Sequence, residues 1–359
     1  MKNNILIVGA TFQGNDAVSN ILSSLFYENV ADDVQLYFLG YSKKNNETVI
    51  NNHIYDYSLS NPFDTSLGYR GLRKLYSILH IDDRKLSTYY IYNKINRIGK
   101  NVPFSLIISA SGRYCYSFAS YYYAKKHNIE LKIIYFDPFA NNVYAINKRK
   151  RRKEEQAWIN YASKIYYNAE NLIPDEAKDD NIFSPFKIPV ITRKQINTKK
   201  ENVILYGGTF YSGIREPDGL GALEQQILGS GITIRCYSNI SSVDWETNIE
   251  FLPLISSKEF KEKCQSAKAL IYIGNIGGNS TSSKYLEYIS LKKPIIGINV
   301  SESDEVRKYP YYIDCEGGRV LELLESIDEE ALLEFNPNDV YPDRNAQRFA
   351  RELLKIEGR

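Results

Sequence analysis

The sequence predicts an α/β protein of two domains, each a largely parallel sheet layered with helices. Three observations lead there. Short Ile-rich apolar runs, such as 5–9 (ILIVG), 105–109 (SLIIS), 131–136 (LKIIYF) and 203–206 (VILY), have the pattern of strands buried on both faces. Stretches with helical spacing alternate with them, for example Ala17, Ile21, Leu22 and Leu25. Pro174, Pro185 and Pro189, set among Asp and Asn residues, read as a linker between the halves. The expected boundaries are 1–190 for the first domain, 200–340 for the second and 341–359 for a terminal helix.

Composition narrows the function classes. The chain has 359 residues, 43% hydrophobic and 25% charged, which suits a globular protein with two cores. Its net charge of +2 argues against a nucleic-acid coat, so any basic function must be local. Cys115, Cys236, Cys264 and Cys315 are widely spaced and form no CxxC pair, so neither zinc nor a disulfide framework is expected. The apolar run at the N-terminus is too short for a signal peptide, and no later run reaches transmembrane length, so the expected location is the cytoplasm. The 30 tyrosines could stack on sugars, but with abundant Asn, Ile and Lys they fit an AT-rich genome better. The final Ile356-Glu357-Gly358-Arg359 matches a protease recognition sequence and is read as a tag remnant.

In the first half, strand 5–9 leads through Gly9-Ala-Thr-Phe-Gln-Gly14 into a helix over 16–26. Asn15-Asp16 stands where a P-loop needs Lys-Ser/Thr, so no triphosphatase follows. Gly14 still allows a ligand to approach the backbone, although the turn alone could require both glycines. Strand 35–39 comes next, then a polar, Tyr-rich stretch over 43–100 with helices expected at 72–79 and 86–98. After strand 105–109 come a helix over 117–127 and strand 131–136, closed by Asp137-Pro138-Phe139. Lys148 to Lys153 are six consecutive basic residues heading a helix that runs to Ala162. They are either a patch for an anionic membrane surface or a solvated helix face paired with Glu154 and Glu155. Nucleic acid is not expected there, since no base-reading motif accompanies them.

The second half opens with strand 203–206 and Gly207-Gly208-Thr209-Phe210. Arg215 precedes a helix over 220–228, and strands over 233–237 and 248–252 follow with a helix at 257–267. The most informative stretch is 269–300. It reads as strand ALIYIG, glycine loop NIGGNSTSS, helix KYLEYISLKK capped by Ser282 or Ser283, and strand PIIGINV. In open α/β sheets, ligands bind beyond the carboxyl ends of such strands, where loop amides and a helix N-terminus attract anions. Strand 311–314 and helices over 320–327 and 345–354 complete the chain.

Ser283-Lys284-Tyr285-Leu286-Glu287-Tyr288 followed by Lys292-Lys293-Pro294-Ile295-Ile296 resembles the donor signature of GT-B glycosyltransferases, especially the retaining family-4-like enzymes. The resemblance implies two Rossmann-like domains facing a cleft, with acceptor bound by the first and donor by the second, and a C-terminal helix returning to the first. Glu287 would hold the ribose of a nucleotide-sugar. Ser283, Lys284 and the amides of Gly277 and Gly278 would hold its diphosphate, with Gly208 and Thr209 facing the donor. Arg215 would neutralise the diphosphate or else cap a turn. Gly14 would line the cleft. Asp137 would orient an acceptor hydroxyl or serve a structural hydrogen bond. Such enzymes usually carry a Glu eight residues before the ribose-binding one. Asn279 stands there, so it either reads the sugar differently or marks a degraded sugar site.

The resemblance therefore implies transfer of a sugar from a nucleoside diphosphate sugar, the donor being a substrate, with neither a separate cofactor nor a metal. The acceptor would be a glycan, lipid-linked or protein-linked molecule of surface glycan synthesis, met in the cytoplasm or at the inner membrane face. The rival readings are a non-catalytic subunit supporting a partner transferase, and a nucleotide-sugar 2-epimerase. The epimerase reading is disfavoured by the position of His53, His80 and His127 away from any motif.

Overall fold

The computed structural model describes residues 3–12, 17–27, 30–42, 46–60, 84–110, 114–136, 148–167, 182–185, 187, 190, 200–276, 284–302 and 304–355. The chain divides into two compact units, one of Met1–Lys187 with Ala346–Arg359 and one of Ile188–Asn345.

The first unit is built on an eight-stranded sheet ordered β3-β4-β2-β1-β5-β6-β7-β8. Its central strands are β1 (Asn3–Val8), β2 (Val34–Ser42), β5 (Leu106–Ala110) and β6 (Glu130–Tyr135). They pair in parallel, and every residue of β5 and β6 is buried, Glu130 and Lys132 of β6 among them. Helices α1 (Ala17–Tyr27), α2 (Arg84–Gly99), α3 (Tyr114–His127) and α4 (Lys148–Ile159) accompany the sheet. Trp158 of α4 is fully buried and stacks on Phe118 of α3, with ring centroids 5.4 Å apart.

Two features depart from the sequence reading. In the polar stretch, β3 (Asn46–Asn51) and β4 (Ile54–Ser60) pair antiparallel, and β4 extends the parallel sheet beside β2. The Asn52-His53 turn, in which His53 N–H donates to Asn51 Oδ1 at 2.8 Å, and the alternation of Ile54, Asp56 and Ser58 inward carry that hairpin. The linker also contributes structure. β7 (Lys164–Tyr167) pairs with β8 (Phe183–Pro185), and Pro185 is accommodated because β8 is an edge strand that needs no further donor. The helix expected at 72–79 lies outside the described residues.

The second unit has a six-stranded sheet, all of whose pairs are parallel, ordered β11-β10-β9-β12-β13-β14. The strands are β9 (Val203–Gly207), β10 (Thr233–Ser238), β11 (Glu250–Pro253), β12 (Ala269–Ile273), β13 (Ile295–Ile298) and β14 (Tyr312–Asp314). Order runs one way from β9 to β11 and the other from β12 to β14, so it reverses between β9 and β12. Side chains alternate across the sheet into two cores. Ile204, Tyr206, Ile271 and Ile296 pack with Leu220 and Leu223 of α5 (Gly219–Gln226) and Leu324 of α8 (Val320–Glu325). Leu205, Leu270, Tyr272 and Ile295 pack with Cys264 of α6 (Ser257–Ser266) and with Tyr285, Leu286, Tyr288 and Ile289 of α7 (Lys284–Ser290). Each such Leu or Ile contributes about 1.5–3 kcal/mol by leaving water. Short helices α9 (Glu329–Glu334) and α10 (Pro337–Val340) were not legible in the sequence.

The last helix, α11 (Ala346–Leu354), belongs to the first unit and packs against α1. Its amphipathic face buries Ala350 and Leu353, and Phe349 meets Tyr166 edge-on. Lys132, fully buried on β6, donates from Nζ to the carbonyls of Glu352 (3.2 Å), Leu353 (3.4 Å) and Lys355. A buried ammonium thus meets the negative end of a helix, which also satisfies last-turn carbonyls. No helix among the described residues is long and apolar enough to cross a membrane.

Candidate functional site

The order reversal between β9 and β12 leaves a crevice at their carboxyl ends, the place where open α/β sheets bind ligands. Gly207 ends β9, and its carbonyl accepts a hydrogen bond from Lys284 Nζ at the start of α7. Gly208 makes that approach feasible. A Cβ there would lie 2.7 Å from Lys284 Nζ and 2.7 Å from Tyr206 Oη. Its amide donates to the Tyr237 carbonyl (3.0 Å), while Phe210 N–H donates to Asn239 Oδ1 (2.8 Å). The role of Gly208 is therefore room for a cation, since its N–H is already committed to the fold.

Arg215 reaches the same crevice from a tight turn. Tyr211 and Arg215 bridge through their backbones, and Ile276 N–H after β12 donates to the Ile214 carbonyl at 2.7 Å. Arg215 Nη2 then donates to Asn275 Oδ1 at 2.8 Å. The turn is thus fastened to the end of β12, and Arg215 does more than cap it. Burial, reinforced by the neighbouring Arg215 charge, pulls the Lys284 ammonium down from 10.5 to about 8. Burial pushes the Tyr206 hydroxyl up to about 12 despite Arg215 beside it. Two cations held together in a desolvated crevice suit a dianionic group, which would relieve their mutual repulsion.

Glu287, one turn along α7, is half-buried and forms an ion pair with Lys261 Nζ of α6 at 2.8 Å. One carboxylate oxygen is engaged there, and a carboxylate has further lone pairs for hydroxyl donors. Thr209 is half-buried at the mouth of β9. Gly14, Asp137, Gly277, Gly278, Asn279 and Ser283 lie outside the described residues. The structure thus brings together Gly208, Arg215 and Lys284, with Glu287 following on the same helix. Reading the sequence missed Lys261, Asn239 and Asn275. None belongs to a motif, and only the folded sheet sets them beside motif residues. In the first unit the equivalent reversal lies between β1 and β5, where Gly9 has φ +107°. A Cβ on Gly9 would lie 2.3 Å from the Ala110 carbonyl oxygen, so glycine is required by both conformation and space.

Among the described residues no group of three or more His, Cys, Asp or Glu side chains is placed to hold a metal ion. Neither a protein-family model nor a curated protein matches this sequence. Solved structures do. The UDP-forming α,α-trehalose-phosphate synthase of Burkholderia xenovorans superposes with a TM-score of 0.58 at 8% identity, over 98% of this chain and 100% of that one. The UDP-GlcNAc 2-epimerase of Methanocaldococcus jannaschii gives 0.53 at 12%, over 98% and 99%. An α-glucosyltransferase solved with UDP and a 13-mer DNA gives 0.52 at 11%, over 99% and 96%. The fold is GT-B. At such low identity the likeness extends to this GT-B architecture, and the chemistry must be argued from the site.

Proposed function

We propose that this GT-B protein is a glycosyltransferase that moves a sugar from a nucleoside diphosphate sugar to a glycan, lipid-linked or protein-linked acceptor in the cytoplasm, with retention of configuration. The observation that carries the reading is the meeting of Lys284 and Arg215 at the β9/β12 reversal. A diphosphate gains charge as it leaves the sugar, so cations already in place stabilise the transition state more than the ground state. Glu287 accepts from the ribose hydroxyls beside Lys261. Ser283 and the amides of Gly277 and Gly278 complete the diphosphate cradle, Asn279 reads the donor sugar, and Asp137 and Gly14 serve the acceptor side. The basic face of α4 is where the protein meets an anionic membrane carrying a lipid-linked acceptor.

Glu287→Ala should weaken nucleoside diphosphate binding by about 1.5–3 kcal/mol, the range for hydrogen bonds to charged groups. Lys284→Ala should lower both affinity and turnover. Calorimetry and release of free nucleotide from a panel of nucleotide-sugars measure the two effects. Wild-type affinity and turnover in the folded double variant would reject the assignment.

The epimerase reading keeps one specific support, the superposition on UDP-GlcNAc 2-epimerase over nearly the whole chain. The same panel separates the readings. A transferase slowly releases nucleotide, an epimerase isomerises the sugar while still attached, and a non-catalytic subunit binds without turnover.

A further inference from the structure

The end of β9 holds two buried polar atoms that the fold leaves unpaired. Tyr206 Oη and Arg215 Nε are both shut off from water, and neither makes a well-formed hydrogen bond among the described residues. The Arg215 guanidinium nonetheless adjoins the Tyr206 hydroxyl closely enough to favour its ionised form, so the two are neighbours without an aligned bond. Native proteins rarely keep a buried donor and a buried acceptor side by side and unpaired, and the exceptions concentrate where something has yet to bind or react. Packing does not account for the hydroxyl. The Tyr206 ring lies in the core and stacks on Phe210, with centroids 4.9 Å apart. Phenylalanine would fill the same place without burying an unpaired oxygen.

The hydroxyl has a use at the neighbouring site. Tyr206 Oη and Lys284 Nζ each lie 2.7 Å from the point that a Gly208 Cβ would occupy, so hydroxyl and ammonium flank one glycine. Burial pushes the hydroxyl up to about 12, which keeps it uncharged beside the two cations at neutral pH. Arg215 presents its N–H donors in one rigid plane. Nη2 already donates to Asn275 Oδ1 at 2.8 Å. With Nε–H given to Tyr206 Oη as well, that plane is fixed at two points. Its outer edge, the remaining N–H groups of Nη1 and Nη2, then faces two phosphate oxygens side by side. Without an anion, Arg215 and Lys284 repel each other, which opposes a closer approach of the guanidinium to this corner. A dianion between them removes that opposition.

We infer that Tyr206 is a positioning residue for Arg215. When a nucleoside diphosphate enters the crevice, Arg215 Nε donates to Tyr206 Oη, and the guanidinium is held with its outer edge toward the phosphate oxygens. This role rests on the proposed donor site and adds to it a side chain that itself touches no substrate.

The test compares the full-length wild type with Tyr206→Phe, Arg215→Lys and the double variant. Affinity for UDP, GDP, ADP, CDP and dTDP is measured by calorimetry, stability by urea unfolding, and turnover by release of nucleotide from the corresponding nucleotide-sugars. Without nucleotide, Tyr206→Phe should be at least as stable as wild type, because an unpaired oxygen has been removed. It should bind the preferred nucleoside diphosphate about three- to tenfold more weakly, the value of one hydrogen bond. Nucleotide release should slow by a larger factor than affinity falls, since the diphosphate gains charge as it leaves. In the Arg215→Lys background, which keeps the charge but lacks Nε, the same change should leave affinity unaltered. Wild-type affinity in Tyr206→Phe overturns the assignment and leaves the hydroxyl to the fold. Equal losses of affinity in both backgrounds overturn it too, because the hydroxyl then acts without Arg215. If wild type binds none of the five nucleotides, the donor site itself is rejected, and this role of Tyr206 with it.

Discussion

Lys284 concentrates the chemistry of the candidate site into one titrating group. Its ammonium is drawn from 10.5 to about 8 by burial first and by Arg215 second. Below about 8 it is charged in both the folded and unfolded states, and the folded state bears the full cost of burying that charge. Between about 8 and 10.5 the unfolded state binds more protons, so this group's contribution to stability rises with pH there, by at most about 1.4 kcal/mol per unit. Lys284→Met removes the term. Its stability relative to wild type, from urea titrations across that window, should therefore be greatest near neutral pH and decline as pH rises. A bound diphosphate has the opposite preference and favours the charged form. Nucleoside diphosphate affinity should fall as pH rises through about 8, and calorimetry near pH 8 in buffers of different ionisation heat should register proton uptake. A pH-independent difference in stability, with no proton uptake, would place Lys284 in ordinary solvent. At this scale the sequence named Lys284 and Arg215 by resemblance, yet could not tell that Gly208 leaves space for the ammonium or that Lys261 pairs with Glu287.

Among the elements, α11 shows how one interior charge can attach a chain terminus. The helix expected over 345–354 forms, and its apolar face explains its packing on α1. The interior strand β6, however, carries Lys132, which an apolar pattern would place outside. The ammonium is buried because its donors are directed at the last carbonyls of α11. Lys132→Met keeps length and apolar contact but leaves those carbonyls without this donor. It should cost about 1.5–3 kcal/mol in urea unfolding. Deleting residues 346–359 should cost more, because it also removes the packing of Phe349, Ala350 and Leu353. Equal stability of Lys132→Met and wild type would show that packing of Phe349 and Leu353 alone retains the helix.

At the scale of the whole molecule, the proposed nucleotide site lies within the second unit. If the nucleotide rests at the β9/β12 reversal, saturating nucleoside diphosphate should slow amide exchange in β9, β12 and α7. At about a hundred times its dissociation constant it should stabilise the binding unit by about 2.7 kcal/mol. Strands β1, β5 and β6 should exchange as before, because they belong to the other unit. Protection confined to the first unit would move the donor site there.

By itself the sequence determined the layered α/β class, most of the strands and the Lys284–Glu287 helix. Strands buried on both faces need mostly apolar runs, and a helix that packs on a sheet needs apolar residues at helical spacing. These are local constraints, written in consecutive residues. It left the β3–β4 hairpin illegible, because an edge strand with one solvated face carries a weak alternating signal among polar residues. It read the segment around Pro185 as linker, because an edge strand can hold a proline that a central strand would exclude. Only tertiary structure decided the strand order, and with it the reversal that brings the end of β9 beside the end of β12. The meeting of Gly208 with Lys284, of Arg215 with Asn275 and of Lys132 with the last turn of α11 joins residues tens to hundreds of positions apart. Such contacts leave no periodic trace in the sequence, since each depends on a single side chain reaching a backbone that another part of the chain has placed.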